Sequence, residues 1–143
     1  MSWCRQAAFP CMFVTLFLGV LSLSTRRLAY VRAGHIPPFR RSLEGAVVRV
    51  PEMGGPPLGL VEGLSYKQHE TELLPGERLL IVTDGFTEAN DGHDKLFGEP
   101  RIAELFAAKD ASLESIVAAV RAYEGDHQYD DMAAVLLTLD PSP

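Results

Sequence analysis

Apolar positions fall in runs along this chain, and the length and period of each run predict an element. Met12–Leu23 and Leu28–Arg32 read as two strands joined by the polar turn Ser24–Arg27, a link short enough to favour antiparallel pairing. Ala33–Arg41 is expected as loop, because Pro37-Pro38 removes two backbone donors. Ala46–Val50 predicts a short strand, Pro51–Leu60 a stiff Gly/Pro loop, and the weakly alternating Tyr66–Leu74 an outer strand. A Pro75-Gly76 turn then feeds Arg78–Thr83, whose aliphatic and β-branched residues have the composition of a buried strand. After Gly98 the period becomes helical. Ile102, Leu105 and Phe106 share one face, with Pro100 read as the first helical residue. A second helix is expected from the N-cap Ser112, with Leu113, Ile116, Val117 and Val120 inward and a stop at Gly125. Asp130–Asp140 closes the chain as a strand. A run of strands, two helices and a last strand predict an α+β fold with a mainly antiparallel sheet covered by helices on one face.

Length and charge narrow the function classes. A chain of 143 residues is one domain with room for a real core. A net charge of -6 and the lack of a basic stripe argue against nucleic acid as a partner. Cys4 and Cys11 have no zinc-ligand spacing and define no disulfide framework, which points to a reducing, cytoplasmic setting. The run Ala7–Leu23, AAFPCMFVTLFLGVLSL, has two readings. It is short and interrupted for a span of about 20 residues, and no small-residue cleavage site follows it. A strand buried on both faces is therefore the expectation, with a signal or membrane anchor as the competing reading.

The candidate chemistry is acidic. Asp84 ends the Arg78–Thr83 strand, and Asp130-Asp131 opens the last one. A carboxylate at the tip of a buried strand is costly to desolvate unless water or a cation meets it. If the two strands pair antiparallel, their acidic ends share one edge of the sheet. Clustered carboxylates repel, and a cation relieves the repulsion. Oxygen ligands suit Mg2+ or Mn2+, which retain waters and take only a few carboxylates. The competing reading makes Asp84-Gly85 a turn and Asp130-Asp131 a solvated strand start, both common places for aspartate. Glu88, Asp91 and Asp94 read as wet loop, and His35 and His93 as loop or packing residues.

The segments YVRAGHIPPF, PPLGL, LLPGERLLIVTDGFTEAND, LFGEPRI and YDDMAAVLL follow in an order and spacing that resembles the metal-dependent protein phosphatases. The similarity is greatest to the SpoIIE/RsbU-like branch of the type 2C-like (PPM) serine/threonine phosphatases, from about Met12 to Leu139. It implies an antiparallel β-sandwich flanked by helices, with two Mn2+ or Mg2+ ions at one end. Metal-activated water would hydrolyse phosphoserine or phosphothreonine in a protein substrate, of which an anti-sigma-factor antagonist in sigma factor regulation is the implied example. On this pattern Asp84 and Asp130 match metal-binding aspartates, and Asp131 and Gly85 are supporting residues. No side chain is assigned a catalytic role apart from metal binding. Gly34 and His35 are implied to be architectural, and Glu88 typical of the motif without being a ligand.

The departures from the pattern carry expectations of their own. The family's Gly-Asp-x-x-Gly-x-Gly motif should precede Met12, whereas residues 1–11, MSWCRQAAFPC, contain no acidic residue. Ser22 replaces a frequent aspartate and Ala133 a frequent Thr or Ser. Residues 12–140 are thus expected to form a partial phosphatase domain whose N-terminal part is missing, with 1–11 as an atypical stretch. Asp84 and Asp130 alone would hold one ion weakly, and exposed sheet edges and apolar faces are expected. The alternative function is a non-catalytic regulatory interaction module.

Overall fold

A computed structural model describes residues 12–51, 53–93, 95–125 and 130–140. Their elements in chain order are β1 (Leu16–Ser22), β2 (Arg27–Ala33), β3 (Phe39–Arg41), β4 (Val47–Arg49), β5 (His69–Glu72) and β6 (Arg78–Val82), then the helices α1 (Asp84–Thr87), α2 (Gly98–Ala107) and α3 (Leu113–Glu124), and finally β7 (Ala134–Thr138). The architecture is α+β with antiparallel sheets, as expected. The chain divides into two compact units, residues 1–35 with 52–72, and residues 36–51 with 73–143.

The first unit is a three-stranded sheet in the order β1-β2-β5. The β1–β2 hairpin pairs antiparallel from Leu16↔Ala33 to Ser22↔Arg27, and Arg26 turns the chain with φ 55. Alternation along β2 buries Leu28 and Tyr30, Ala33 is buried at the strand's end, and Phe17 stacks on Tyr30 at 5.5 Å. The expectation that Met12–Leu23 is buried on both faces fails. β1 is an outer strand of its sheet, and Leu16, Leu18 and Val20 are exposed, Val20 at 68%. The physical reason is that no described element covers that face. The expectation of exposed apolar faces holds instead. Ala7–Cys11 lies outside the described residues. No helix among those described is long and apolar enough to cross a membrane.

The second unit is a four-stranded sheet in the order β4-β3-β6-β7. Phe39, Leu80 and Val82 pack with Ile102 and Phe106 of α2 and Ile116 and Val120 of α3. The predicted helical faces are therefore the packed ones. Ser112 caps α3 reciprocally with Ser115, each side chain accepting the other's backbone N–H, at 3.1 and 3.0 Å. Gly125 ends it with φ 63. Three expectations need correction. Ala33–Arg41 is not wholly loop, because Phe39–Arg41 forms β3 straight after Pro38, with Phe39 in the core. Pro lacks only its own N–H, and a strand may begin on its far side. Pro100 is the third residue of α2, still inside the first turn whose N–H groups need no intrahelical partner. Asp84-Gly85 is not a plain turn, as it opens the single-turn helix α1.

Candidate functional site

The site grows from the end of β6. Strands β6 and β7 pair antiparallel, closing at Val82↔Ala134. The residues that follow β6 therefore meet those that precede β7, so the tips of the two acidic segments share one end of the sheet. Two contacts fix this. The Thr83 N–H donates to the Ala133 carbonyl at 3.0 Å. A β-carbon on Gly85 would stand 2.5 Å from the Asp131 carbonyl oxygen, so a residue with no side chain is needed for the backbones to meet.

From Asp84 the backbone closes one helical turn. The Glu88 N–H and the Thr87 hydroxyl both donate to the Asp84 carbonyl, at 2.8 and 2.9 Å. Phe86 and Ala89 anchor the turn by burial in the core. Asp84 and Glu88, four residues apart, then lie on the same side of the turn, and both are exposed. Water reaches Asp84, so its place at the tip of a buried strand carries no large desolvation cost. The Asp130 carboxylate accepts the Asp131 N–H at 2.7 Å, and both aspartates are exposed.

Gly85, Glu88, Ala89, Asn90, Leu96 and Asp130 line a cleft of ≈ 340 Å³. Its loop wall is held by local bonds. Asn90 accepts the Gly92 N–H at 2.8 Å and Asp91 the His93 N–H at 2.9 Å. The His93 N–H bond chiefly holds the Asp91 carboxyl below its ordinary range, with help from the Lys95 N–H.

The structure thus brings together the predicted Asp84, Gly85, Asp130 and Asp131. Glu88, read from the sequence as wet loop and no ligand, is exposed and lines the cleft. The helical spacing from Asp84 to Glu88 was the available signal. His35 belongs to the first unit, where its carbonyl accepts from Arg32 at 2.7 Å and its ring leans on Phe17. His93 is a loop residue and Asp94 lies outside the described residues. The donors at the cleft are all oxygen, the chemistry Mn2+ and Mg2+ take. Among the described residues no three His, Cys, Asp or Glu side chains converge as a finished cage. The cleft lining offers the oxygen donors of Glu88, Asn90 and Asp130, a chemistry a hard cation accepts, while Asp84 is not among the lining residues.

Phosphatase domains of the PP2C type share this α+β fold with antiparallel sheets. The family model described as Stage II sporulation protein E (SpoIIE) matches residues 3–140, and the chain belongs to that family. It is 33% identical over 129 residues to Protein IcfG of Synechocystis sp., covering 87% of this chain and 20% of the relative. It is 31% identical over 77 residues to Phosphoserine phosphatase RsbU of Bacillus subtilis, covering 54% and 23%. The SpoIIE phosphatase domain of Bacillus subtilis, solved after presoaking with Mn, superposes with a TM-score of 0.69 at 17% identity over 90% of this chain and 58% of that one. The chain thus spans about a fifth of its curated relatives, at 20% and 23% of their lengths. Members of the family are metal-dependent protein phosphatases.

Proposed function

We propose that this chain carries part of a phosphoserine/phosphothreonine protein phosphatase site, with Asp84 and Asp130 as ligands of Mn2+ or Mg2+. Asp131 and Gly85 support them, within a domain portion spanning residues 12–140. The observation that carries this reading is the β6–β7 register, which supports a shared edge for the two aspartates. A bound ion supplies an acidified water and positive charge to offset the phosphoryl oxygens. The chain's own residues do the rest. Asp84 is presented from the first residue of α1, and Asp130 is steadied by the Asp131 N–H. The cleft beside Glu88 and Asn90 leaves the edge open to an extended phosphopeptide. An anti-sigma-factor antagonist is the substrate type this reading favours, and a reducing cytoplasm its compartment.

Phosphate release from a phosphoserine peptide in Mn2+ is the test. The expected result is turnover that Asp84→Asn and Asp130→Asn each abolish. A second reading, a non-catalytic interaction module, is favoured by the lack of a three-ligand cage among the described residues. Background turnover by a chain that still binds Mn2+ would decide for it.

A further inference from the structure

The end of β6 contains a substitution of one hydrogen-bond acceptor for another. Thr83 and Ala133 face each other one step beyond the last ladder pair, Val82↔Ala134. Facing residues of an antiparallel pair at such a position exchange two bonds, each N–H to the other's carbonyl. One of them is present, from the Thr83 N–H to the Ala133 carbonyl at 3.0 Å. The reciprocal bond is not made to the Thr83 carbonyl, which accepts the Phe86 N–H at 3.1 Å as α1 begins. The Thr83 hydroxyl oxygen takes its place and accepts the Ala133 N–H at 3.0 Å. The same hydroxyl lies 3.4 Å from the carbonyl oxygens of Asp131 and Ala133, and its single proton serves one or the other in a long contact. Although Thr83 occupies the N-cap position of α1, its side chain makes no capping bond to that helix. The hydroxyl faces the neighbouring strand instead.

We propose that Thr83 is a positioning residue of this site, its hydroxyl tying the Asp131–Ala133 backbone to the end of β6 so that Asp130 stays beside the Asp84–Glu88 turn. The inference rests on the metal reading above. It assigns Thr83 no contact with substrate or ion. A chain that turns into a helix straight after a strand needs its last carbonyl for that turn. A hydroxyl on the same residue lets the strand pairing continue for one more step. Gly85 completes the clasp from the other side, since only a hydrogen fits against the Asp131 carbonyl.

Mn2+ alone is the probe, with free Mn2+ counted by electron paramagnetic resonance during titration of the whole chain. Thr83→Val keeps the β-branched shape and removes the hydroxyl. Its expected effect is a loss of Mn2+ affinity of roughly 10–100-fold, the range for groups that orient metal ligands. Thr83→Ser is expected to restore affinity, because the acceptor is restored. Amide exchange at Ala133 should quicken in Thr83→Val and not in Thr83→Ser. Should Thr83→Val fail to fold, Thr83→Ala removes the same hydroxyl, and the same loss of affinity and quickened Ala133 exchange are expected. Parent-like Mn2+ affinity in the valine variant, unchanged Ala133 exchange, or a serine variant as weak as valine would each overturn the inference. If the parent shows no saturable Mn2+ binding, the metal reading falls and this inference with it. If the parent binds and Asp84→Asn does not, a parent-like Thr83→Val removes the Thr83 inference alone.

Discussion

Phe86 holds the acidic turn in place from beneath. Its side chain is buried among Leu80, Val82 and Ile102, while its neighbours Asp84 and Glu88 face water. Phe86→Ala is therefore expected to lower unfolding free energy by about 3–5 kcal/mol, as a large cavity does, measurable by urea denaturation. Asp91 offers a milder handle. The His93 N–H holds its carboxyl below the ordinary value, so the folded loop favours the charged form. That contribution is present above the ordinary aspartate range and is lost as pH falls through the lowered folded value. The His93 amide resonance should move over that acid range and lose the step in Asp91→Ala. That Asp84 and the Asp130-Asp131 pair stand at one end of the sheet was legible in the sequence, because acidic residues at strand ends are conspicuous. The place of Glu88 in the cleft lining was not, because EANDGHD looks like loop until Phe86 and Ala89 are known to be buried. Thr83 was hidden for a related reason, since its role exists only once its own carbonyl is taken up by the start of α1.

At the scale of elements, periodicity read the long segments well and misjudged short ones. The two longer helices show their packed faces through Ile102 and Phe106, and through Ile116 and Val120. Replacing the N-cap, Ser112→Ala, removes the acceptor for the Ser115 N–H. It should cost about 0.5–2 kcal/mol, read as a lower urea midpoint with an unchanged slope. β3 escaped notice because three residues carry no period, and two prolines stand before it. The four-residue α1 escaped for the same reason. β1 was misjudged differently, since an apolar run looks the same whether or not something covers it. Leu18 and Val20 are 56% and 68% exposed, and the strand carries none of the charges that usually guard an outer edge. Val20→Lys should leave stability within about 0.5 kcal/mol while reducing light scattering at high protein concentration. A large loss of stability would mean that Val20 is packed.

The whole molecule complicates any test of the metal site, because its charge acts on every cation. A net charge of -6 draws a diffuse cloud of divalent ions whether or not a site exists. Diffuse attraction is screened over about 8 Å at roughly 0.15 M salt, whereas an ion held by carboxylates in direct contact is screened far less. A specific site also stabilises by mass action, by about 2.7 kcal/mol when the ion is at 100 times its dissociation constant. The two effects separate when one negative charge is removed in two different places. Asp84→Asn removes it at the candidate edge. Glu104→Gln removes it from an exposed position on α2, outside the cleft lining. Both changes reduce the net charge equally, so a diffuse cloud responds to both alike. The expectation at that salt is a saturable rise in melting temperature with Mn2+ for the parent and for Glu104→Gln, and none for Asp84→Asn. Equal responses from the two variants would assign the effect to overall charge and leave the acidic edge with no ion of its own.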